Sequence, residues 1–281
     1  MTIKELREQA VARRKADGVK VQKFIKNAIN PNPDDYSLDE FEYFINEREF
    51  VRINGITADP IIRDNRFTNI FREFDRVSKY IFDNVDTTIS DEALFQQLFM
   101  ARIINRQDYL EFRITKDYLK SLDGKAFTNL RAYQLQPGIG WKYGYRTLKE
   151  AIVNGDVYDD TITIWNAIKN EPNLAKAVEL GNEAFGGYIK FVLFQAILDF
   201  GYIRGHFDLA SEPYTGDGAK PVLKLLETSL EELRDLMNKQ DFHRECNLYD
   251  AEHALCEYRK YVLQKARLKA GKKVSRPYKP F

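Results

Sequence analysis

Apolar residues recur along most of this chain at spacings of three and four, the repeat of helices that bury one stripe. Residues 3–28 read as one long helix, with Leu6, Ala10, Val11, Val21, Phe24, Ile25 and Ala28 on its apolar side and Gly18 as a point of kinking. Asn30-Pro31-Asn32-Pro33-Asp34 breaks the pattern. Ser37 opens the next helix with a capping-box pattern to Glu40; Leu38, Phe41 and Ile45 form its core side, and it ends near Asn54-Gly55. Asp59-Pro60 turns the chain into RFTNIFREFDRVSKY at 66–80, where Ile70, Phe74, Val77 and Ile81 mark a buried stripe. On that predicted helix Asn69, Arg72 and Arg76 share a second face, with Asp75 beside it and within reach of Arg72. Such a face ordinarily belongs to a solvated helix with local ion pairs, and it can also press against a phosphorylated substrate.

Ser90-Asp91-Glu92 caps an apolar helix through about Asn105, and a further helix is predicted over 107–121. Residues 125–140 are less regular. Residues 156–169 suit strand or helix by propensity and read as helix from their neighbours; helices follow over 173–185 and 188–202, parted by Gly186-Gly187. A loop at 204–220 precedes helices at 222–239 and 248–269. No strand-like segments alternate with these helices, and no repeat is visible. The predicted fold is all-α, one compact body of up to two lobes.

Composition changes this picture little. At 281 residues, 44% hydrophobic and 30% charged, the chain has the balance of a globular protein with an ample core. No apolar run approaches the roughly 20 residues that span a bilayer, so no membrane partner is expected. The N-terminus lacks the apolar stretch of a secretory signal, which places the protein in the cytoplasm. Two cysteines make no disulfide framework and no four-cysteine cluster. Charge matters more. Residues 1–30 carry eight Lys/Arg against three Asp/Glu, and 258–281 carry nine Lys/Arg and no acid. The chain therefore divides into a basic N-terminal helix or arm at 1–36, a helical body at 37–257 that is acidic, and the end of the last helix with a basic tail at 258–281. Basic ends fit a polyanion held by terminal arms, and they also fit solubilising tails.

Four stretches have the residue types for chemistry. Leu135-Gln136-Pro137-Gly138-Ile139-Gly140 has the form of a helix-hairpin-helix turn over a DNA phosphate, and also of a plain Pro-Gly turn; Trp141 to Arg146 then interleaves aromatics with bases. Gly186-Gly187-Tyr188-Ile189-Lys190 leads into a helix where Gln195 and Asp199 are polar groups among apolar neighbours. Tyr214-Thr215-Gly216-Asp217-Gly218-Ala219-Lys220 is Gly-rich with a trailing Lys, but the G-x-x-x-x-G-K-[ST] spacing of a Walker loop occurs nowhere. In DAEHALCEYRKY at 250–261, Glu252 falls with Cys256, and His253 with Glu257 and Lys260. His243-x-x-Cys246 and His253-x-x-Cys256 echo a zinc pattern without matching a familiar finger, and helix packing accounts for them as well. Cys256 with His253 also has the types of a nucleophile pair.

Taken in order, these segments resemble a known family. The residues are Asp59-Pro60, RFTNIFREFDRVSKY at 66–80, Ala132-Tyr133 followed by Lys142, GYIKFVLFQAILD at 187–199, YTGDGAK at 214–220, and EHALCEYRKY at 252–261 before a basic tail. They resemble the α-glutamyl/putrescinyl-thymine pyrophosphorylases, or amino acid:DNA transferases, and the helical domain attached to 5-hydroxymethyluracil DNA kinases, over about residues 37–281. The resemblance implies a fold like that of helix-hairpin-helix DNA glycosylases and a setting in bacteriophages or cellular DNA-modification systems, hence the host cytoplasm if phage-encoded.

It also implies the chemistry. A thymine-derived base in DNA carries phosphate or pyrophosphate on its 5-methylene, installed by a separate kinase, and the enzyme replaces that group with an amine or amino acid. The base must leave the stack. The departing phosphate needs cations, for which Arg72, Arg76 and Lys190 or Lys142 are suited, with Asn69, Tyr133, Tyr188 and Gln195 completing the pocket. The incoming ammonium must lose a proton, to Asp75, Asp199 or Glu252. Lys220, Lys260, Lys272, Lys273 and Arg276 are the expected DNA-backbone contacts. No metal and no organic cofactor is required; the partners are DNA with phosphorylated 5-hydroxymethyluracil, a small amine or amino acid, and the upstream kinase. Two alternatives stand beside this: a DNA glycosylase using Asp199 on a modified base, and a non-catalytic module that binds modified DNA.

Overall fold

The computed structural model describes residues 31–122, 126, 152, 157–187 and 189–272. Among the described residues the regular structure is helical throughout. Eleven α-helices occur: α1 Leu38–Asn54, α2 Pro60–Asp64, α3 Arg76–Asn84, α4 Asp91–Ile104, α5 Lys116–Ser121, α6 Val157–Ile168, α7 Leu174–Phe185, α8 Lys190–Arg204, α9 Lys220–Leu226, α10 Leu230–Met237 and α11 Leu248–Lys269. Three short 3-10 turns add to them, at Pro33–Asp35, Arg72–Phe74 and Gln107–Tyr109. No described helix is long and apolar enough to cross a membrane. The all-α expectation holds. The described residues form two compact units, those within 76–214 and those within 31–75 and 215–272. The predicted long helix at 3–28 and the Leu135–Gly140 hairpin lie outside the described residues.

In the first unit α4 and α8 pack against each other, and α6 and α7 pack beside them. Both α4 and α8 are buried almost all round, as their sequences LFQQLFMARII and FVLFQAILDF require. Trp165 of α6 joins the layers, its ring centroid 5.6 Å from Phe95 and 5.0 Å from Phe200. Gly181 lets α7 approach closely: a Cβ there would meet Leu193 Cδ2 at 2.8 Å and Ile164 Cγ2 at 3.0 Å.

Two charges sit inside this unit. Arg102 of α4 donates from Nε to Asp199 Oδ2 at 2.5 Å and from Nη2 to Asp199 Oδ1 at 2.7 Å. Its Nη2 also donates to Ser78 Oγ at 2.7 Å, tying α3 to the pair. Asp199 is fully buried and Arg102 nearly so. A lone cation in an apolar helix must find such a partner, because an unpaired buried charge is far costlier than a forked ion pair.

The second unit is built on α11, which packs against α1, α2, α9 and α10. Phe41, Phe44, Ile61, Ile70, Phe71, Val222, Leu233, Leu255 and Val262 share its core. Tyr258 is fully buried at the centre, edge-on to Phe41 at 5.4 Å, with its hydroxyl 3.1 Å from both Ser37 N and Ser37 O. Tyr261 donates to Asp59 Oδ2 at 2.8 Å, while Asp59 Oδ1 caps α2 through Ile61 N at 2.7 Å. The expected boundary after residue 257 falls within α11, which continues unbroken to Lys269.

Helices 38–54, 91–104, 157–168, 174–185, 190–204 and 248–269 match their expectations. Three others need correction. Residues 107–121 are not one helix: Ile114 gives its N–H to Gln97 Oε1 and its carbonyl to Gln97 Nε2, so a side chain replaces the helical partners. Residues 222–239 are two helices, divided at Glu227 (φ 49°), after which Ser229 and Glu232 form a reciprocal capping box. In the 66–80 stretch α-helix begins only at Arg76.

The buried ion pair yields a stability prediction. Asp199→Ala is expected to cost about 3–5 kcal/mol in urea unfolding, whereas the double change Arg102→Met with Asp199→Leu recovers most of it. A cost below about 1 kcal/mol for the single change would show that the pair is not structural.

Candidate functional site

The predicted organising helix at 66–80 is not continuous. Residues 66–71 are irregular, Arg72–Phe74 form a 3-10 turn, Asp75 is extended (φ −68°, ψ 128°), and helix begins at Arg76. In a helix the Phe67 and Thr68 carbonyls would accept from residues four further on. Here both accept from Arg48 Nη2 of α1, at 3.1 and 3.3 Å. Thr68 N donates to Glu257 Oε2 of α11 at 2.9 Å, and Asn69 Nδ2 donates to Phe74 O at 2.5 Å. Glu73 accepts from Arg244 Nε at 2.6 Å and meets His243 Nε2 at 2.9 Å. Burial alone would raise the Glu73 carboxyl, yet Arg244 and His243 hold it at about 2. Asn69, Arg72 and Asp75 thus sit on a clamped loop, and the shared face with Arg76 does not form. Arg72 is buried, Asn69 and Asp75 are half-buried, and Arg76 is exposed at the start of α3 in the other unit.

The glycine loop lies on the same α11. Gly216 N donates to Glu252 Oε1 at 3.1 Å, and the Gly216 carbonyl accepts from Ala219 N and Lys220 N, both at 3.1 Å. Gly218 packs on Cys256 so closely that a Cβ would fall 2.5 Å from its Sγ. With about 100° per residue, Glu252 and Cys256 mark one flank of α11 and Glu257 and Asp250 the other, with His253 and Lys260 between. The loop at 216–218 therefore covers one flank and the 67–73 stretch the other, with His253 and Lys260 on the strip between them.

The two glutamates differ electrically. Burial pushes Glu252 up to about 7, offset only in part by the Gly216 N–H. Glu257 is also desolvated, but Lys260, 3.2 Å away, and the neighbouring His253 hold its carboxyl below the usual range. A carboxyl titrating near neutrality is the tuning a general base needs. Burial raises the Cys256 thiol to about 12, so at neutral pH it is no nucleophile. Cys246 is likewise raised to about 12 within the core. Among the described residues no three His, Cys, Asp or Glu side chains gather in a metal-holding arrangement.

The remaining expected residues are dispersed. Asp199 and Gln195 are buried in the first unit, where both Asp199 oxygens are taken by Arg102. Lys190, also there, sits 2.5 Å from both Glu179 oxygens. Lys260 lies 4.8 Å over the Phe67 ring as well as beside Glu257. Lys220 opens α9 and Lys272 follows α11, both exposed. Tyr133, Lys142, Tyr188, Lys273 and Arg276 lie outside the described residues. The sequence reading did not single out Arg48, Arg244 or Arg102. A cation in an otherwise apolar helical stretch was the available signal for Arg102.

Residues 36–136 match the family described as 5-hmdU DNA kinase, helical domain. Over that stretch, which begins just before α1 and runs past α5, the chain is similar to this helical domain. No curated protein and no solved structure matches the chain.

Glu252 sets a pH dependence. Between its ordinary 4.5 and about 7 the folded protein holds a proton that the unfolded chain has lost, so this group's contribution to stability falls as pH rises through that window. Glu252→Gln removes the titration and keeps an oxygen for Gly216 N. The variant is expected to exceed the wild type in urea unfolding at about pH 8 by up to about 3 kcal/mol, with the gain shrinking toward about pH 5. Equal stability curves across that range would show that the carboxyl is not perturbed.

Proposed function

We propose that this protein acts on DNA containing phosphorylated 5-hydroxymethyluracil and exchanges the phosphate or pyrophosphate on the 5-methylene for an amine or amino acid. Two facts support the reading. Residues 36–136 are similar to a domain whose family name specifies 5-hmdU DNA. A single observation carries the catalytic part: Glu252 is buried under the Gly216 loop with one backbone N–H on its Oε1, and that burial pushes its carboxyl up to about 7.

In this mechanism the neutral amine nitrogen bonds to the 5-methylene carbon as the carbon–oxygen bond to the leaving phosphate breaks. The phosphate departs with the electron pair. Glu252 takes the proton that the nitrogen must lose, a task suited to a base poised near the working pH. As the carbon–oxygen bond breaks ahead of full carbon–nitrogen bonding, the exocyclic carbon is electron-poor in the transition state, and an ionised carboxylate stabilises it. Within the same unit Arg72 and Lys260 supply positive charge toward the phosphate.

A second reading, a non-catalytic module that binds modified DNA, is favoured by one observation: the matched domain is the helical part of a kinase. The glycosylase alternative is disfavoured, because both oxygens of Asp199 are held by Arg102.

Nucleoside mass analysis of phosphomethyl-uracil DNA incubated with the protein and candidate amines separates these readings. An amine adduct with released phosphate is expected; free base would indicate a glycosylase, and unchanged DNA that stays bound would indicate a binding module. Glu252→Gln is expected to lower turnover by about 10²–10⁴-fold while DNA binding persists. Full turnover by that variant would remove Glu252 from the mechanism.

A further inference from the structure

The 66–80 stretch has the apolar period of an α-helix, yet its first ten residues are not α-helical, with a 3-10 turn at Arg72–Phe74 the one regular piece. Local pattern and tertiary structure disagree here, and such disagreements concentrate where function imposes a conformation. The groups that override the helix are specific. Arg48 Nη2 holds the Phe67 and Thr68 carbonyls, which in a helix would pair with the Phe71 and Arg72 amides. Glu257 holds the Thr68 amide. At the far end Arg244 grips Glu73 through Nε at 2.6 Å and Nη2 at 3.1 Å, and Asp250 through Nη1 at 2.7 Å and Nη2 at 3.1 Å. Arg244 also lies 4.7 Å over the Phe71 ring.

We infer that Arg48 and Arg244 are positioning residues: together they hold residues 66–75 in the non-helical form that presents Asn69, Arg72 and Asp75, and without them the stretch reverts toward helix. The inference goes beyond the proposed function and rests on it only for the consequence in turnover. A single guanidinium nitrogen, Arg48 Nη2, bridges the two carbonyls from the end of a planar group, and the lysine stem is one atom shorter, so its ammonium reaches them less well and the two cations are not equivalent.

The test is carbon-13 backbone chemical shifts of the full chain with Arg48→Met, which keeps an apolar stem of similar length. Shifts of residues 67–72 are expected to move toward helical values. Turnover is expected to fall on the order of 100-fold in kcat with KM nearly unchanged, and Arg48→Lys to restore part of both. Wild-type shifts in the Met variant would overturn the clamp, and so would lost turnover without a change of shifts. Altered shifts with full turnover would overturn the positioning role. If Arg48→Met fails to fold, Glu73→Gln at the part-exposed end serves instead, with the same direction of shift expected and unchanged shifts counting against the clamp. A wild-type protein inactive on phosphomethyl-uracil DNA would defeat the proposed function, while the shifts would still decide the clamp.

Discussion

Burying Glu252 beneath the Gly216 backbone is the constraint on which the rest depends. A carboxyl group taken out of water with one backbone N–H on its Oε1 favours its neutral form, which is why it is raised to about 7. Everything around it maintains that dryness. Gly218 has no Cβ, so the loop lies directly on Cys256 one turn further along α11. Leu255 and Tyr258, on the side of α11 turned from the strip of His253 and Lys260, anchor the helix in the core. Glu257, only five positions away, has Lys260 beside it and is shifted the other way. One helix thus carries two carboxyls with opposite tuning, and the environment alone distinguishes them.

Much of the fold was legible in the sequence because most helices are locally encoded. Ser37 and Ser90 each cap a helix with the side chain the pattern offered, Asn173 caps a third, and Gly55, Gly186 and Gly205 close helices in the left-handed region. The elements that were misread are those whose backbone partners come from distant side chains. Gln97 replaces the helical bonds of Ile114, and Arg48 those of Phe67 and Thr68. A period of three and four cannot reveal such partners, since Arg48 and Thr68 are twenty positions apart. The break at Thr228-Ser229 differs: its Ser-x-x-Glu box was present in the sequence and marks the start of α10.

The candidate site was legible in part. Glu252 and the 214–220 loop were singled out by residue type, and the structure brings them into contact. Asp199 was singled out as well, but its partner Arg102 is ninety-seven positions away, beyond any local pattern. The face of Asn69, Arg72 and Arg76 was drawn on a helix that the clamp prevents. Residues 36–136 are similar to the helical domain of 5-hmdU DNA kinase, and the chemistry proposed for the chain rests on the α11 carboxyl outside that stretch.

The central claim is most directly tested by carbon-13 NMR of the glutamate side-chain carboxyls, titrated in the full-length protein, with Glu252→Gln used to assign the resonance. The account predicts a Glu252 midpoint at about 7, well above its ordinary 4.5. A midpoint at the ordinary value would mean that the carboxyl is in water, and the account would fail.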